Sequence, residues 1–220
     1  MAKLTVQNTT DGSQTLYSEK FNETYHSVNG AVTESMHVFI DAGMKVSMHK
    51  KLQIFEVGFG TGLNAFLTLI EARKQYIHVN YYSIELYPIP QDVFETLNYA
   101  DLLESDKALF KAMHTTPWNT SVQIAPDFEL TKINADLLIY SHSSMYDLVY
   151  FDAFSPAIQP DLWSEEVFEK LYEHMNNEGI LTTYCAKGSV RRTLQKVGFK
   201  TERLPGPPGK REMLRAVKLI

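Results

Sequence analysis

Leu52-Gln53-Ile54-Phe55-Glu56-Val57-Gly58-Phe59-Gly60-Thr61-Gly62-Leu63-Asn64 is the stretch on which the reading of this chain turns. An apolar run long enough for a buried strand leads into three glycines. Ala65-Phe66-Leu67-Thr68-Leu69-Ile70-Glu71-Ala72-Arg73 then carries apolar residues at helical spacing. Strand, glycine turn and helix in this order build a place where a ligand can approach the backbone, because glycine has no Cβ to obstruct it. The spacing says which ligand. A dinucleotide turn reads G-x-G-x-x-G and cradles a pyrophosphate at the helix N-terminus. Here the glycines alternate as Gly58-x-Gly60-x-Gly62, with an acid, Glu56, two residues before the first. A carboxylate aimed into the turn repels a pyrophosphate and suits a cationic amino-acid ligand. The competing reading is a glycine-rich turn with no ligand.

This turn resembles the first motif of Rossmann-type S-adenosylmethionine (SAM) methyltransferases, whose ligand carries an ammonium and a sulfonium. The resemblance implies that Glu56, Gly58, Phe59, Gly60, Thr61, Gly62 and Asn64 surround the donor. Val79-Asn80-Tyr81-Tyr82-Ser83-Ile84 follows as a second strand and ends in Glu85, 23 residues after Gly62. An acid there can accept both hydroxyls of a ribose. Otherwise Glu85 is only a solvated strand end.

The 220 residues suffice for one well-buried α/β domain with a small appendage. The composition, 44% hydrophobic and 21% charged, is that of an ordinary globular protein. No apolar run reaches the length of a membrane span, and Met1-Ala2-Lys3-Leu4-Thr5-Val6-Gln7 lacks a signal peptide's apolar core. The single cysteine, Cys185, excludes an internal disulfide framework and fits a cytoplasmic location, with a buried structural thiol expected. The 7 histidines show no H-x-x-H pairing, so no metal is expected.

The net charge of −5 argues against a nucleic-acid partner until its distribution is read. From Lys187 onward, ten of the 21 Lys/Arg and two of the 26 acids give +8, leaving −13 on the rest. Such asymmetry points to a polyanion at the basic end. A solvated helix face with an exposed strand would look the same.

Along the chain, residues 3–18 read as a hairpin, with Asp11-Gly12 as a two-residue turn. A helix is expected over Ala31 to Ala42. Together they form an N-terminal extension, 1–48, before a domain of 49–220. Helices are expected over Gln91 to Leu103, Ser105 to Met113, Ser164 to Met175 and Ser189 to Val197. Strands are expected over Ser121 to Ala125, Phe128 to Ile133, Tyr146 to Phe151, Ile180 to Cys185, Lys200 to Leu204 and Met213 to Leu219. The alternation implies a Rossmann-like α/β fold with a mostly parallel sheet and an antiparallel last strand. Ligands then lie beyond the carboxyl ends of the strands, where Glu56, Glu85 and Asp152 all fall.

Asp152 closes the apolar strand Tyr146-Asp147-Leu148-Val149-Tyr150-Phe151 and opens Ala153-Phe154-Ser155-Pro156, continuing to Pro160-Asp161-Leu162-Trp163. Two prolines stiffen that turn and Phe154 offers an aromatic wall. A strand-end Asp can merely accept turn hydrogen bonds. On the fourth strand of a SAM-type fold it is the catalytic candidate, and it borders the donor as well. After the third strand comes Asn134-Ala135-Asp136, where Asp136 can accept from an adenine amino group, cap the next helix, or do both. Tyr25 and His26 are candidates to close over the donor. Gly209-Lys210-Arg211 joins a loop to the last strand, with cations for phosphate or for solvent.

These blocks, with Val190-Arg191-Arg192…Gly198-Phe199 and the opening Tyr17-Ser18-Glu19-Lys20-Phe21…Tyr25-His26-Ser27, together resemble the methyltransferase domain of the MnmC family. Members are tRNA 5-aminomethyl-2-thiouridine methyltransferases. The resemblance spans nearly the whole chain, and D-A-F-S-P…P-D-x-W is its most selective part. It implies SAM-dependent methylation of the aminomethyl group on a wobble uridine. Phe154, Pro156, Lys187, Arg191, Arg192, Lys210 and Arg211 would then meet the RNA, and other tRNA-modification enzymes would supply the precursor. Ala135-Asp136 departs from the family's usual Gly-Asp. The family often carries an FAD-dependent oxidase. The expectation here is the methyltransferase step alone, without FAD, because the chain has no second G-x-G-x-x-G. Two other functions compete: a SAM-type transferase acting on a small amine, and a non-catalytic RNA-binding protein that keeps the fold.

Overall fold

The computed structural model describes residues 3–47 and 49–219; the expected junction at residue 48 lies outside them. Eleven strands are formed among the described residues. Three short ones, β1 (Leu4–Asn8), β2 (Gln14–Ser18) and β3 (Glu23–Thr24), make a small antiparallel sheet. The other eight are β4 (Lys51–Val57), β5 (His78–Ile84), β6 (Ser121–Ala125), β7 (Phe128–Ile133), β8 (Tyr146–Phe151), β9 (Met175–Thr183), β10 (Phe199–Pro205) and β11 (Glu212–Lys218). They form one sheet in the order β10-β11-β9-β8-β4-β5-β7-β6. The central strands β9, β8, β4, β5 and β7 are parallel. The last strand, β11, runs antiparallel between β9 and β10. With β5 on one side of β4 and β8 on the other, the chain reverses direction of travel at β4, and the open crevice of such a sheet lies there.

Helices cover both faces, and the alternation of side chains along each strand assigns them. Ile54, Leu148 and Tyr150 share one core with Val38 and Phe39 of the N-terminal helix and Phe66 of the helix after the glycine turn. Phe55, Val57, Val149 and Phe151 share the other with Phe168 and Leu194. The first face is covered by α1 (Ala31–Ser35, continuing as a π-helix over Met36–Asp41) and α2 (Leu63–Gln75). Short α3 (Gln91–Phe94) and α4 (Tyr99–Leu102) and longer α5 (Lys107–Thr115) follow β5. The second face carries α6 (Glu165–Glu173) and α7 (Gly188–Val197). Ser164 caps α6 by accepting from Val167 N–H, and Asp106 caps α5 the same way from Ala108. Cys185 is buried just beyond β9. No helix among the described residues is long and apolar enough to cross a membrane.

Three local expectations are corrected. The β1–β2 connection has five residues, Thr9–Ser13, not a two-residue Asp-Gly turn. Asp11 is drawn off by its partners: one oxygen accepts from Ser13 N–H at 3.0 Å, the other from Thr33 N–H at 2.9 Å. Burial works against that charge, but these hydrogen bonds hold the carboxyl well below the usual carboxylate range. The helix expected over Gln91 to Leu103 is broken between α3 and α4, where Thr96 Oγ1 bonds back to Val93 O and Asn98 Nδ2 reaches Gly12 O. β9 begins at Met175, five residues before the expected start, with an irregular register to β8 between Tyr146 and Leu148.

Candidate active site

A cavity of about 560 Å³ opens at the carboxyl edge of the sheet, over the ends of β4, β5, β7 and β8. Its floor is the glycine turn. Gly58 has φ +91°, and a Cβ there would stand 2.8 Å from Asp152 O, so the ends of β4 and β8 meet only because the residue is glycine. At Gly60, φ is +48° and a Cβ would press on the Tyr25 ring at 3.0 Å. Thr61 is pinned from two sides: its hydroxyl meets His26 Nε2 at 2.6 Å, and its carbonyl accepts from His114 Nε2 at 3.1 Å. Burial keeps both imidazoles neutral, with His26 lowered to about 4 and His114 to about 3. Behind the turn, buried Lys132 donates to His114 O and lies 4.6 Å from the Trp118 ring and 5.5 Å from the Phe59 ring. Burial lowers its pKa to about 8. Neither His114 nor Lys132 carries a sequence signal for this place; only the fold brings them under the turn.

Glu85 ends β5 on the cavity wall. Its Oε2 accepts from Gly60 N–H at 3.1 Å and its Oε1 from Tyr87 N–H at 2.7 Å. Each oxygen keeps a second lone pair, enough for a pair of ribose hydroxyls. Ala135 and Asp136 line the wall beside it. Asp136 also accepts from Leu138 N–H at 2.9 Å, so its turn-capping role is formed. Asn134 is exposed and off the wall, its side chain donating to Glu85 O at 2.8 Å. The volume, the Cβ-free turn and the free lone pairs of Glu85 fit a nucleoside-bearing amino acid such as SAM.

Asp152 lies across β4 from Glu85. Asn64 Nδ2 donates to its Oδ2 at 2.8 Å, while Asn64 Oδ1 is buried without a partner among the described residues. Burial raises the Asp152 pKa to about 7; the Asn64 hydrogen bond opposes the rise, Glu34 adds to it, and Lys210 opposes it. A carboxyl poised there exchanges protons readily near neutrality. The following turn is held by Trp163 Nε1, which donates to Phe154 O at 2.8 Å, and by Phe154 N–H to Gln159 Oε1 at 3.1 Å. Phe154 faces the cavity, in contact with Phe21 (ring centroids 4.5 Å apart) and Tyr25 (5.1 Å). The N-terminal segment thus builds one wall. Lys210 and Tyr184 complete it from the other side, with the Lys210 ammonium paired to Glu34 and 4.0 Å from the Tyr184 ring. Glu34, Glu23 and Tyr184 were not singled out in the sequence, which gives no pattern linking them to the turn.

Glu56 departs from expectation. It is fully buried, accepts from Ser83 Oγ at 2.6 Å, and is not on the cavity wall. It shares the parity of Ile54, so its side chain enters the α2 face rather than the turn. Burial raises its pKa to about 8, leaving it protonated at neutral pH. Gly62 lies just off the wall as the residue preceding α2, and Pro156 is also outside it. Lys187, Arg191, Arg192 and Arg211 do not reach the cavity. They cluster at the same edge of the sheet, on the start of α7 and the β10–β11 loop. No acid pairs with them among the described residues, whereas Lys196, Arg203, Lys210 and Arg215 of the basic segment are ion-paired. No group of three or more His, Cys, Asp and Glu that could hold a metal occurs among the described residues.

Residues 105–219 match the family described as S-adenosyl-L-methionine-dependent methyltransferase. The chain belongs to that family. A crystal structure of MNMC2 from Aquifex aeolicus is similar over 98% of this methyltransferase and 70% of that chain, at 25% identity and a TM-score of 0.79. The tRNA 5-methylaminomethyl-2-thiouridine biosynthesis bifunctional protein MnmC of Ralstonia nicotianae is 31% identical over 90% of this chain and 32% of its own length. The chain therefore spans about a third of the curated relatives it matches. Spermidine synthase from Thermotoga maritima shares the fold, with a TM-score of 0.59 at 12% identity over 99% of this chain and 69% of that one.

Proposed function

We propose that this methyltransferase converts the 5-aminomethyl group of a wobble (2-thio)uridine in tRNA to 5-methylaminomethyl. The observation that carries the reading is Asp152, a carboxyl poised near neutrality on the same cavity as the glycine turn. SAM supplies an electrophilic methyl carried on a sulfonium. The turn from Gly58 to Gly62, Asn64, Glu85, Ala135 and Asp136 would hold it, with Phe59 and Thr61 fixing the turn from behind. An alkylamine is largely protonated near neutral pH and has no lone pair to offer. Asp152 takes that proton, or holds the neutral amine's N–H groups so that the lone pair faces the methyl. The rest is positioning and exclusion of water, for which Phe154, Tyr25 and Phe21 supply an aromatic wall. Lys187, Arg191, Arg192 and Arg211 meet the tRNA backbone outside the cavity. The printed activity of the bifunctional relatives supports the wobble-uridine substrate. The enzymes that make the aminomethyl precursor are the expected partners.

Glu23 and Glu34 on the cavity wall favour a second reading, transfer to a small free amine. The deciding experiment is transfer of labelled methyl from SAM to tRNA from a strain lacking this gene, with mass analysis of the nucleosides. A gain of one methyl on 5-aminomethyl-2-thiouridine supports the tRNA reading. No transfer, with SAM still bound, refutes it. Salt separates the two as well, because tRNA binding weakens steeply with added salt and small-amine binding does not.

A further inference from the structure

The cavity wall beside Asp152 already holds an alkylammonium, and it belongs to the chain itself. Lys210 comes from the β10–β11 loop and Glu34 from α1, 176 residues apart in sequence. The lysine Nζ donates to Glu34 Oε1, while Glu34 Oε2 is fixed by Ser27 N–H at 2.8 Å. The same ammonium lies 4.0 Å from the centroid of the Tyr184 ring, a distance at which the ring face attracts a cation. Tyr184 is anchored to the Asp152 turn by its hydroxyl, which donates to Ala153 O at 2.9 Å. Glu34, Tyr184, Asp152 and Lys210 all line one cavity. Most of the Glu34 side chain is buried, at 9% exposure, against 32% for Lys210. The acid and the ring are therefore the fixed parts, and the lysine is the removable one.

We infer that Glu34 and Tyr184 form the subsite that receives the acceptor's ammonium group, and that Lys210 occupies this subsite until the substrate displaces it. The inference rests on the amine acceptor of the proposed function but not on the tRNA. A methylene-linked ammonium on a nucleobase presents the same chemistry as the end of a lysine side chain: a compact cation that pairs with a carboxylate and packs on an aromatic face. Delivered there, the acceptor nitrogen lies on the Asp152 side of the cavity. A neutral hydroxymethyl analogue gains nothing from the cradle, so the subsite selects for charge.

A protein whose subsite is occupied by its own side chain binds a competitor in proportion to the fraction that is open. The test uses the full chain saturated with S-adenosylhomocysteine, titrated calorimetrically with n-butylammonium, n-butanol and 5-aminomethyluridine. Lys210→Met is expected to tighten n-butylammonium binding about tenfold, as when roughly nine subsites in ten are closed in the parent. Glu34→Gln, which keeps an acceptor for Ser27 N–H, is expected to abolish it, and n-butanol is expected to respond to neither change. Lys210→Arg retains the ion pair with a bidentate partner that is harder to displace, so it should weaken n-butylammonium binding; it covers the case in which Lys210→Met does not fold. Weaker or unchanged binding in a folded Lys210→Met, or unchanged binding in Lys210→Arg, overturns the inference. If n-butylammonium follows the expected pattern while 5-aminomethyluridine does not bind, the subsite stands and the wobble-uridine reading falls.

Discussion

Asn64→Ala tests the acid-base assignment without touching Asp152. Asn64 sits in the first turn of α2, is buried, and donates to Asp152 Oδ2 at 2.8 Å. That bond favours the ionised carboxylate. A hydrogen bond to a charged group contributes about 1.5–3 kcal/mol, so its loss raises the Asp152 pKa by about 1–2 units. Starting from about 7, the carboxyl would then titrate between about 8 and 9. At pH 7 the ionised fraction falls from about a half to between a tenth and a hundredth, a rate loss of about five- to fiftyfold. The assay is kcat/KM for methyl transfer from pH 6 to 10, taken as the ratio of variant to parent. The acceptor's own titration is common to both enzymes and cancels in that ratio. The ratio should climb towards one above pH 9. Alanine keeps the helix and leaves no new unpaired polar atom on residue 64. A ratio that is flat with pH, or a loss that persists at pH 10, refutes the role given to Asp152.

Three further outcomes are expected. Gly60→Ala places a methyl 3.0 Å from Tyr25 at φ +48°, and the strain of about 1–2 kcal/mol should weaken SAM binding about tenfold in calorimetry. Lys132→Met should remove a pH dependence of stability. The folded pKa of about 8 lies below the unfolded value of 10.5, so the unfolded chain binds more protons between those limits and the parent gains stability as pH rises through them. Urea midpoints of parent and variant that track each other from pH 8 to 10 would exclude a depressed Lys132. Glu56→Gln should act in the opposite window. The Glu56 carboxyl is raised from 4.5 to about 8, so the parent loses stability as pH rises between those values. The variant should show a shallower slope in thermal melts over that range.

The sequence carried the sheet because its signals are local. The apolar run before Gly58, the unbroken β8 segment and the capped start of α6 at Ser164 each need only a dozen residues to be read. The residues that shape the cavity are legible where a strand end dictates them, as at Glu85 and Asp152. They are not legible where contacts are long-range. His114 meets Thr61 across 53 residues, and Glu34 meets Lys210 across 176. The direction of Glu56 was also hidden. In a strand buried on both faces, hydrophobicity does not alternate, so the sequence does not reveal which parity faces the ligand edge. The basic C-terminal segment was overread as a single surface. Part of its charge is consumed by Glu34, Glu165, Glu202 and Glu212, leaving Lys187, Arg191, Arg192 and Arg211 as the outward cluster.

The placement of Glu56 changes how the negative charge of the site is understood. An acid two residues before the first glycine suggests a carboxylate that attracts the cationic end of the donor. Burial, and then the nearby Asp152, instead keep a proton on Glu56, so at neutral pH it contributes hydrogen-bonding atoms and no charge. A second ionised carboxylate beside Asp152 would raise the Asp152 pKa further and leave it protonated when an amine arrives. A neutral Glu56, bonded to Ser83 beneath the turn, lets Asp152 ionise first as pH rises. Negative charge is then presented to ligands by Glu85, Asp152 and the Lys210-covered Glu34, all on the cavity wall. Its distribution follows the carboxyl ends of β5 and β8 and the start of α1, and the glycine motif supplies shape rather than charge.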